Sequence, residues 1–327
     1  MQTYRDDAEA VTALSETYRR LKQAIGRRII GQETVVERLL MAVFSRGHAL
    51  LVGVPGLAKT LLVQTVADVL DLSFKRIQFT PDLMPSDITG SEILDSDRRY
   101  RFVKGPLFAH LVLADEINRT PPKTQAALLE AMQEKAVTVA GERYALDEPF
   151  FVFATQNPIE QEGTYPLPEA QLDRFMMEIT LDYPQLDEEV RIVKATTGAD
   201  GIPLQPLLSA EEILYFQQLI RRIPVPDSLY TYAVQLVAKT RPSDPSAPAA
   251  VRDYIAYGAG PRASQYLIIG AKCHAALNGR FSPDKTDVQA VAEPILRHRV
   301  VRNYRAEAEG VRIENLLKGL MQGGELA

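Results

Sequence analysis

A loop between an apolar run and an amphipathic helix constrains the fold of this chain more than any other feature. The apolar run covers residues 48–52, the loop reads Gly-Val-Pro-Gly-Leu-Ala-Lys-Thr over Gly53–Thr60, and a helical pattern follows from Leu61. A strand, a glycine-containing loop and a helix in this order form a phosphate-binding loop, because backbone N–H groups and the helix N-terminus both face the anion. Ala58 stands where a second glycine is usual, so a chance turn before a helix is the alternative.

The loop and the start of the helix supply the predicted nucleotide contacts. These residues are Gly53, Val54, Pro55, Gly56, Leu57, Ala58, Lys59, Thr60 and Leu61. The ammonium group of Lys59 would neutralise charge on the β- and γ-phosphates, and the hydroxyl group of Thr60 would bind Mg²⁺.

The composition excludes several classes of protein. With 327 residues, 46% of them hydrophobic, the chain is long enough for two domains. Its net charge of −5 gives no global reason to expect nucleic acid or an anionic membrane as a partner. Cys273 is the only cysteine, so no intrachain disulfide can form and a cytoplasmic location is expected. No apolar run approaches the roughly 20 residues that span a bilayer, so membrane insertion is not expected.

Strand-like and helix-like segments alternate through the first half of the chain. Predicted helices cover about 8–26, 33–44, 59–70 and 121–134, and predicted strands cover 48–52, 74–79, 111–115, 150–155 and 176–181. This alternation indicates an α/β fold in which a parallel sheet lies between helices. Two polar, β-like segments, 87–104 and 135–148, are predicted to be inserted hairpins, and simple surface decoration is their alternative.

The sequence pattern changes after residue 182. A proline-containing stretch runs to Pro206, and four helices are then predicted to start near Ser209, Asp227, Arg262 and Thr286. Ser209 and Glu212 form a capping box at the first of these starts. We therefore expect a nucleotide-binding α/β domain over 1–182 and an all-α domain over 205–327.

The strand predicted at 111–115 ends in two adjacent carboxylates, Asp115 and Glu116. Alternating side-chain directions at a strand end would aim the two groups at different tasks. Asp115 suits Mg²⁺, directly or through water, and Glu116 suits a general base that polarises the attacking water. An acidic strand end exposed to solvent is the alternative.

Asn157 follows the next apolar strand and is a candidate for holding the lytic water or contacting the γ-phosphate. A turn-forming Asn before Pro158 is the simpler interpretation.

Three arginines are candidates for stabilising phosphoryl charge. Arg174 lies in Leu-Asp-Arg-Phe before the last predicted strand, where a salt bridge to Asp173 or Glu178 is the alternative. Arg119, just after the acidic strand end, is a competing interface arginine. Arg262 opens a helix of the second domain and could move onto the nucleotide as the domains close.

These motifs together resemble a known family. In order and spacing they match the Walker A, Walker B, sensor 1, arginine-finger and sensor 2 motifs of AAA+ ATPases, at Gly53–Thr60, Asp115-Glu116, Asn157, Leu172–Phe175 and Pro261-Arg262. The strings Asp-Glu-Ile-Asn-Arg-Thr-Pro-Pro-Lys-Thr-Gln and Ala-Thr-Gln-Asn-Pro-Ile-Glu are similar to those of the MoxR branch, in which an alanine such as Ala58 is normal. Gly31 and Gln32 resemble the segment on the adenine side.

The resemblance implies a P-loop NTPase fold with a three-layer αβα core, sheet order 5-1-4-3-2 and a C-terminal helical lid. It further implies ATP and Mg²⁺ as cofactors and ring assembly, usually as a hexamer, with Arg174 supplied in trans. The two hairpins would be the inserts of this clade. MoxR relatives are thought to act as chaperones that remodel or mature partner proteins, often ones with von Willebrand factor A domains or metal cofactors.

Three alternatives remain open from the sequence. The chain also resembles the ATPase subunit of magnesium chelatase, which has both inserts. A nucleotide-binding switch with little turnover is the second alternative. The third is a nucleic-acid motor, suggested by four arginines near the C-terminus, although the acidic chain favours solvated or intersubunit charges; they are Arg297, Arg299, Arg302 and Arg305.

Overall fold

The computed structural model describes residues 4–94, 96–160, 162–198 and 203–322. Its strands are β1 (Ala49–Val52), β2 (Phe74–Gln78), β3 (Gly90–Leu94), β4 (Tyr100–Lys104), β5 (Leu111–Asp115), β6 (Ala136–Val139), β7 (Glu142–Ala145), β8 (Phe151–Gln156), β9 (Met177–Thr180), β10 (Ile255–Tyr257) and β11 (Val301–Arg302). Its helices are α1 (Asp7–Gly26), α2 (Glu33–Phe44), α3 (Lys59–Val69), α4 (Pro85–Thr89), α5 (Pro122–Glu134), α6 (Glu169–Leu172), α7 (Leu186–Thr196), α8 (Ala210–Arg222), α9 (Asp227–Ala238), α10 (Ala249–Tyr254), α11 (Pro261–Leu277), α12 (Lys285–Leu296), α13 (Tyr304–Ala308) and α14 (Ile313–Gln322).

A five-stranded parallel sheet with the order β2-β5-β8-β1-β9 forms the centre of the α/β part. If only the five strands of this sheet are numbered in chain order, the observed order is 2-3-4-1-5, which is the predicted order 5-1-4-3-2 read from the opposite edge. The predicted sheet order and the three-layer αβα arrangement are therefore confirmed. Ala114 pairs with Ala154, and Val52 pairs with Gln156. The carboxyl ends of β1, β5 and β8 therefore lie side by side at one edge of the sheet.

The central strands are continuous apolar runs because both faces of a parallel sheet are covered by helices. All five residues of β5 are buried, and so are the first five of β8. Two large side chains, Phe151 and Phe153, are almost entirely withdrawn from solvent. The strands that carry the candidate site are thus held rigidly from both sides.

Two antiparallel hairpins are inserted into this core, as predicted. Residues 90–94 of β3 pair with residues 100–104 of β4, and residues 136–139 of β6 pair with residues 142–145 of β7. Ala140 and Gly141 connect β6 to β7 with φ values of +51° and +87°. Positive φ at both central residues of a two-residue loop matches the right-handed twist of the flanking strands.

The chain divides into two compact units. The first contains Thr17–Arg174 and Ile179–Tyr215, and the second contains Gln2–Glu16, Phe175–Glu178 and Phe216–Ala327. Besides its helices, the described part of the second unit contains Met177 and Glu178 of β9 and the short antiparallel pair β10–β11. The pair β10–β11 lies within 205–327, where the expectation of an all-α domain did not include it. The domain limits 1–182 and 205–327 stay a prediction.

Helix starts follow local sequence signals where a helix was predicted, but six helices in the described part of the chain were not predicted, namely α4, α6, α7, α10, α13 and α14. The Ser209–Glu212 capping box is present: the Ser209 N–H donates to Glu212 Oε2 at 2.9 Å, and the Glu212 N–H donates to Ser209 Oγ at 3.3 Å. Helix α7 lies in the proline-containing stretch, where no helix was predicted. No helix in the described part of the chain is both long and apolar enough to span a membrane.

Candidate nucleotide-binding site

The phosphate-binding loop connects β1 to α3 in a conformation that constrains its residue types. A Cβ atom added to Gly53 would lie 3.0 Å from Leu181 Cβ and 3.1 Å from the Leu181 carbonyl oxygen. Gly56 has φ +87°, which only glycine adopts readily. Ala58 immediately precedes α3 with φ +54° and ψ +27°, a left-handed conformation that costs an alanine about 1–2 kcal/mol. The position thus has the backbone of a glycine although an alanine occupies it.

Lys59, the first residue of α3, is half-buried beneath the loop. Its Nζ donates a hydrogen bond to the Gly53 carbonyl oxygen at 2.5 Å. Burial lowers the pKa of Lys59, and the nearby negative charges of Asp115 and Glu116 oppose that shift. The lysine, both acidic residues and the loop therefore belong to one electrostatic site. Thr60 follows as the second residue of the helix and is partly exposed.

Asp115 at the end of β5 is buried and hydrogen-bonded through both carboxylate oxygens. Thr155 Oγ1 donates to Asp115 Oδ1 at 2.6 Å. Arg76 Nε and Nη2 donate to Asp115 Oδ2 at 2.9 and 2.7 Å. Sequence reasoning missed Arg76 and Thr155, because both come from strands that neighbour β5 only in the folded sheet.

Glu116 leaves the sheet in a left-handed conformation with φ +57°. Its backbone N–H donates to Thr155 Oγ1 at 2.8 Å. Its carboxylate Oε2 accepts a hydrogen bond from Gln78 Nε2 at 3.0 Å and lies 2.9 Å from Arg119 Nε. The backbone turn gives Glu116 an environment distinct from that of Asp115, as their different predicted tasks require.

Asn157 is buried directly after β8, next to the other strand ends. Its Oδ1 accepts a hydrogen bond from the Ile159 N–H at 3.2 Å, which is the turn that the simpler interpretation of this residue describes. This bond uses the carboxamide oxygen, and the carboxamide nitrogen is a donor that could contact water or phosphate.

A cavity of about 130 Å³ lies beside the loop. Five of its lining residues were named from the sequence as part of the nucleotide site: Gly56, Leu57, Ala58, Leu61 and Gln32. Other lining residues include Ile29, Ile30, Pro184, Ile192 and Ala195. Apolar walls with few polar groups suit an adenine ring.

Gly31 is not among the residues that line this cavity, but its conformation shapes it. It has φ +76°, and an added Cβ would lie 2.7 Å from Glu188 Oε2 of α7. Gln32 Nε2 donates to the Asp182 carbonyl oxygen at 3.1 Å. The cavity walls from α7 were missed; Gln185, which precedes this helix, is not one of the usual N-cap residues.

The candidate arginines lie in different parts of the chain. Arg174 follows α6 in the first unit, and Arg262 is the second residue of α11 in the second unit. Both are partly exposed.

The four arginines near the C-terminus are engaged within the chain: Arg297 with Glu293 and Glu314, Arg299 with the carbonyl oxygens of Phe175 and Met176, Arg302 with the Val311 carbonyl oxygen, and Arg305 with Glu309. These contacts within the chain favour a structural role for the four arginines over a role in binding nucleic acid.

The oxygen donors at the site fit Mg²⁺ held jointly with a nucleotide. Mg²⁺ usually keeps several waters and binds one or two protein groups together with phosphate oxygens. Thr60 and Asp115 supply a hydroxyl and a carboxylate of this kind. The described residues contain no cluster of three or more His, Cys, Asp or Glu side chains, which a metal held by protein alone would require.

The fold and the site define a P-loop protein of the AAA+ class. The model of the ATPase family associated with various cellular activities (AAA) matches residues 48–177, and the AAA lid domain model matches residues 247–318. A crystal structure of a protein from Cytophaga hutchinsonii, assigned as an ATPase, superposes with a TM-score of 0.90 at 42% identity, covering 98% of this chain and 97% of that one.

Sequence relatives place the chain more closely. It is 42% identical to Chaperone MoxR1 of Mycobacterium tuberculosis, over 96% of this chain and 84% of that protein. It is 41% identical to YeaC of Bacillus subtilis over 91% of each chain, and 30% identical to Protein MoxR of Methylorubrum extorquens over 92% of each. The chain belongs to the MoxR family of AAA+ ATPases.

Proposed function

We propose that the protein is an ATP-hydrolysing chaperone that remodels or matures partner proteins. The observation that carries the proposal is the meeting of three strand ends at one edge of the sheet. There, the Asp115-Glu116 pair and Asn157 follow strands that neighbour the strand before the phosphate-binding loop, and the loop itself lines a cavity that suits adenine. A relative named as a chaperone, Chaperone MoxR1 of Mycobacterium tuberculosis, supports the remodelling role.

Each predicted residue has a distinct task in this proposal. The loop from Gly53 to Leu61 binds the nucleotide, and Thr60 and Asp115 hold Mg²⁺, which when bound offsets phosphate charge. Glu116 accepts a proton from the attacking water, and Asn157 orients that water. Arg174 stabilises the transferred phosphoryl group from a neighbouring subunit, and Arg262 of the lid contacts the nucleotide.

The proposed working form is a cytoplasmic ring, with six copies as the expected number. It acts on client proteins, with von Willebrand factor A domains as the leading class. The proposal assigns nucleotide binding to residues 1–182 and the lid to residues 205–327. The presence of both Glu116 and Asn157 beside the loop supports turnover over a binding switch, because a switch needs no base.

The nucleotide site is tested by ATP binding and turnover. Lys59→Ala should abolish ATP binding, because the half-buried ammonium group is the cation of the loop. Glu116→Gln should bind ATP with nearly unchanged affinity and lose turnover. Lys75→Ala, at an exposed lysine of β2, is the matched control and should behave as wild type. ATP affinity unchanged in Lys59→Ala would contradict the loop assignment.

The chaperone role is tested with the Glu116→Gln protein as a trap. In the presence of ATP it should retain a client that the wild-type protein releases, and the Lys59→Ala protein should retain none. Capture of the client should require ATP, and the client should be released when ATP is removed. Turnover without any ATP-dependent capture would argue against remodelling while leaving the ATPase assignment intact.

A further inference from the structure

Arg119 joins two carboxylates within its own chain. It is the last residue of the single 3₁₀ turn Ile117–Arg119, which directly follows Glu116. Its Nε lies 2.9 Å from Glu116 Oε2, and its Nη2 forms an ion pair with Glu160 Oε2. A planar guanidinium group presents several fixed donors, so a single arginine can hold both groups at once, which a lysine cannot do with the same geometry.

The donors around Glu116 are arranged asymmetrically. Arg119 Nε and Gln78 Nε2 both reach Oε2. Within the described part of the chain, no donor reaches Oε1. A carboxylate held by one oxygen keeps the other available to accept a proton, so this arrangement fixes the orientation of the group without occupying it fully.

Tyr165, five residues after Glu160 on the same loop, is held by contacts that do not involve the Arg119 side chain. The Tyr165 N–H donates to the Asn118 carbonyl oxygen at 2.6 Å. The buried side chain of Gln125 donates to the carbonyl oxygens of Ile117 and Tyr165 at 3.1 and 3.0 Å. Because these bonds do not involve the guanidinium group, replacing Arg119 should leave the loop seated and change mainly the position of Glu116.

We propose that Arg119 is a positioning residue that acts in cis, holding the carboxylate of Glu116 for the attacking water while Glu160 holds Arg119. The proposal rests on the proposed ATPase function. It separates Arg119 from a finger in trans, since an arginine that reaches a neighbouring nucleotide would have to leave both of its partners.

Steady-state ATP turnover distinguishes positioning from binding. Arg119→Ala should lower kcat by about 10- to 100-fold, because small displacements of a reacting group have effects of this size. The KM for ATP should stay within about twofold, and Arg119→Lys should recover part of the loss, since it keeps the cation without the fork. A changed KM with unchanged kcat, or a raised kcat, overturns the proposal.

The second partner provides an independent readout with a matched control. Glu160→Gln should lower kcat by up to about fivefold, the range of an exposed ion pair. Glu148→Gln should leave kcat unchanged: Glu148 pairs with Lys135 at 2.7 Å and its side chain is 41% exposed, against 38% for Glu160. In the Arg119→Ala background, Glu160→Gln should have no further effect. Additive losses overturn the link between the two residues.

Mixed assemblies decide between cis and trans action. Glu116→Gln protein mixed with Arg119→Ala protein should show no more turnover than the Arg119→Ala protein alone contributes, because no single chain then carries both residues. Restored turnover would mean that Arg119 acts across an interface and would overturn the proposal. Wild-type and Glu116→Gln turnover, measured alongside, test the proposed ATPase function separately.

Discussion

Glu178 of β9 gives the protein a pH-dependent stability that one substitution should remove. Burial raises its pKa from 4.5 to about 7; Arg297 opposes this shift, and Glu293 and Glu314 reinforce it. Between the two values the folded state binds more protons than the unfolded chain, so stability falls as pH rises from 4.5 to about 7 and is then constant. At about 1.36 kcal/mol per pKa unit, the loss is about 3 kcal/mol.

Glu178→Gln mimics the protonated side chain and should remove this loss. At pH 4.5 and below, variant and wild type should have the same Tm. At pH 8 the variant should be more stable by about 3 kcal/mol, which raises the Tm by on the order of 10 °C. Thermal unfolding followed by circular dichroism measures the difference, with Glu307→Gln, at an exposed glutamate of the same unit, as the control. A difference that does not change with pH, or that favours wild type at pH 8, would refute the reasoning.

Three further predictions concern the loop, the interface and a buried histidine. Ala58→Gly should unfold in urea within about 1 kcal/mol of wild type, because relief of the left-handed strain offsets the greater freedom of the unfolded chain; a larger loss would argue against the φ of +54°. Mixing inactive Glu116→Gln with inactive Arg174→Ala protein should restore partial turnover, and no rescue between subunits shown to exchange would argue against a finger in trans. His48, whose pKa burial lowers to about 4, should stay neutral at pH 5 by nuclear magnetic resonance, with Nδ1 accepting the Val152 N–H; a titration midpoint above 6 would contradict its burial.

Local pattern was sufficient to predict the class of fold. The apolar runs at 111–115 and 150–155 have a length and composition that suit buried parallel strands, and they form β5 and β8. Helix α2 begins at Glu33 and ends at Phe44, as predicted. The motif order identified the MoxR family, which the relatives confirm. The roles assigned to the individual site residues remain predictions.

Helix α7 shows where local pattern failed. The Gln185 N–H donates to Glu188 Oε2 at its start, but nearby prolines favoured an irregular stretch in the prediction. Its apolar residues Leu186, Val190 and Val193 recur at the helical spacing i, i+4 and i+7, a signal that the prediction overlooked, although none of its residues is buried in the structure. Its place in the molecule is set by packing beside Gly31 and the cavity.

The sequence by itself determined which residues could form a phosphate-binding loop and an acidic strand end, because both signals are contiguous in the chain. Only the tertiary structure decided their surroundings. Gln78 pairs with Asp115 across β2 and β5, and this register brings Arg76 to Asp115 and Gln78 to Glu116. These partners are 38 or 39 residues apart in sequence, and strand order, which no local pattern encodes, makes them neighbours.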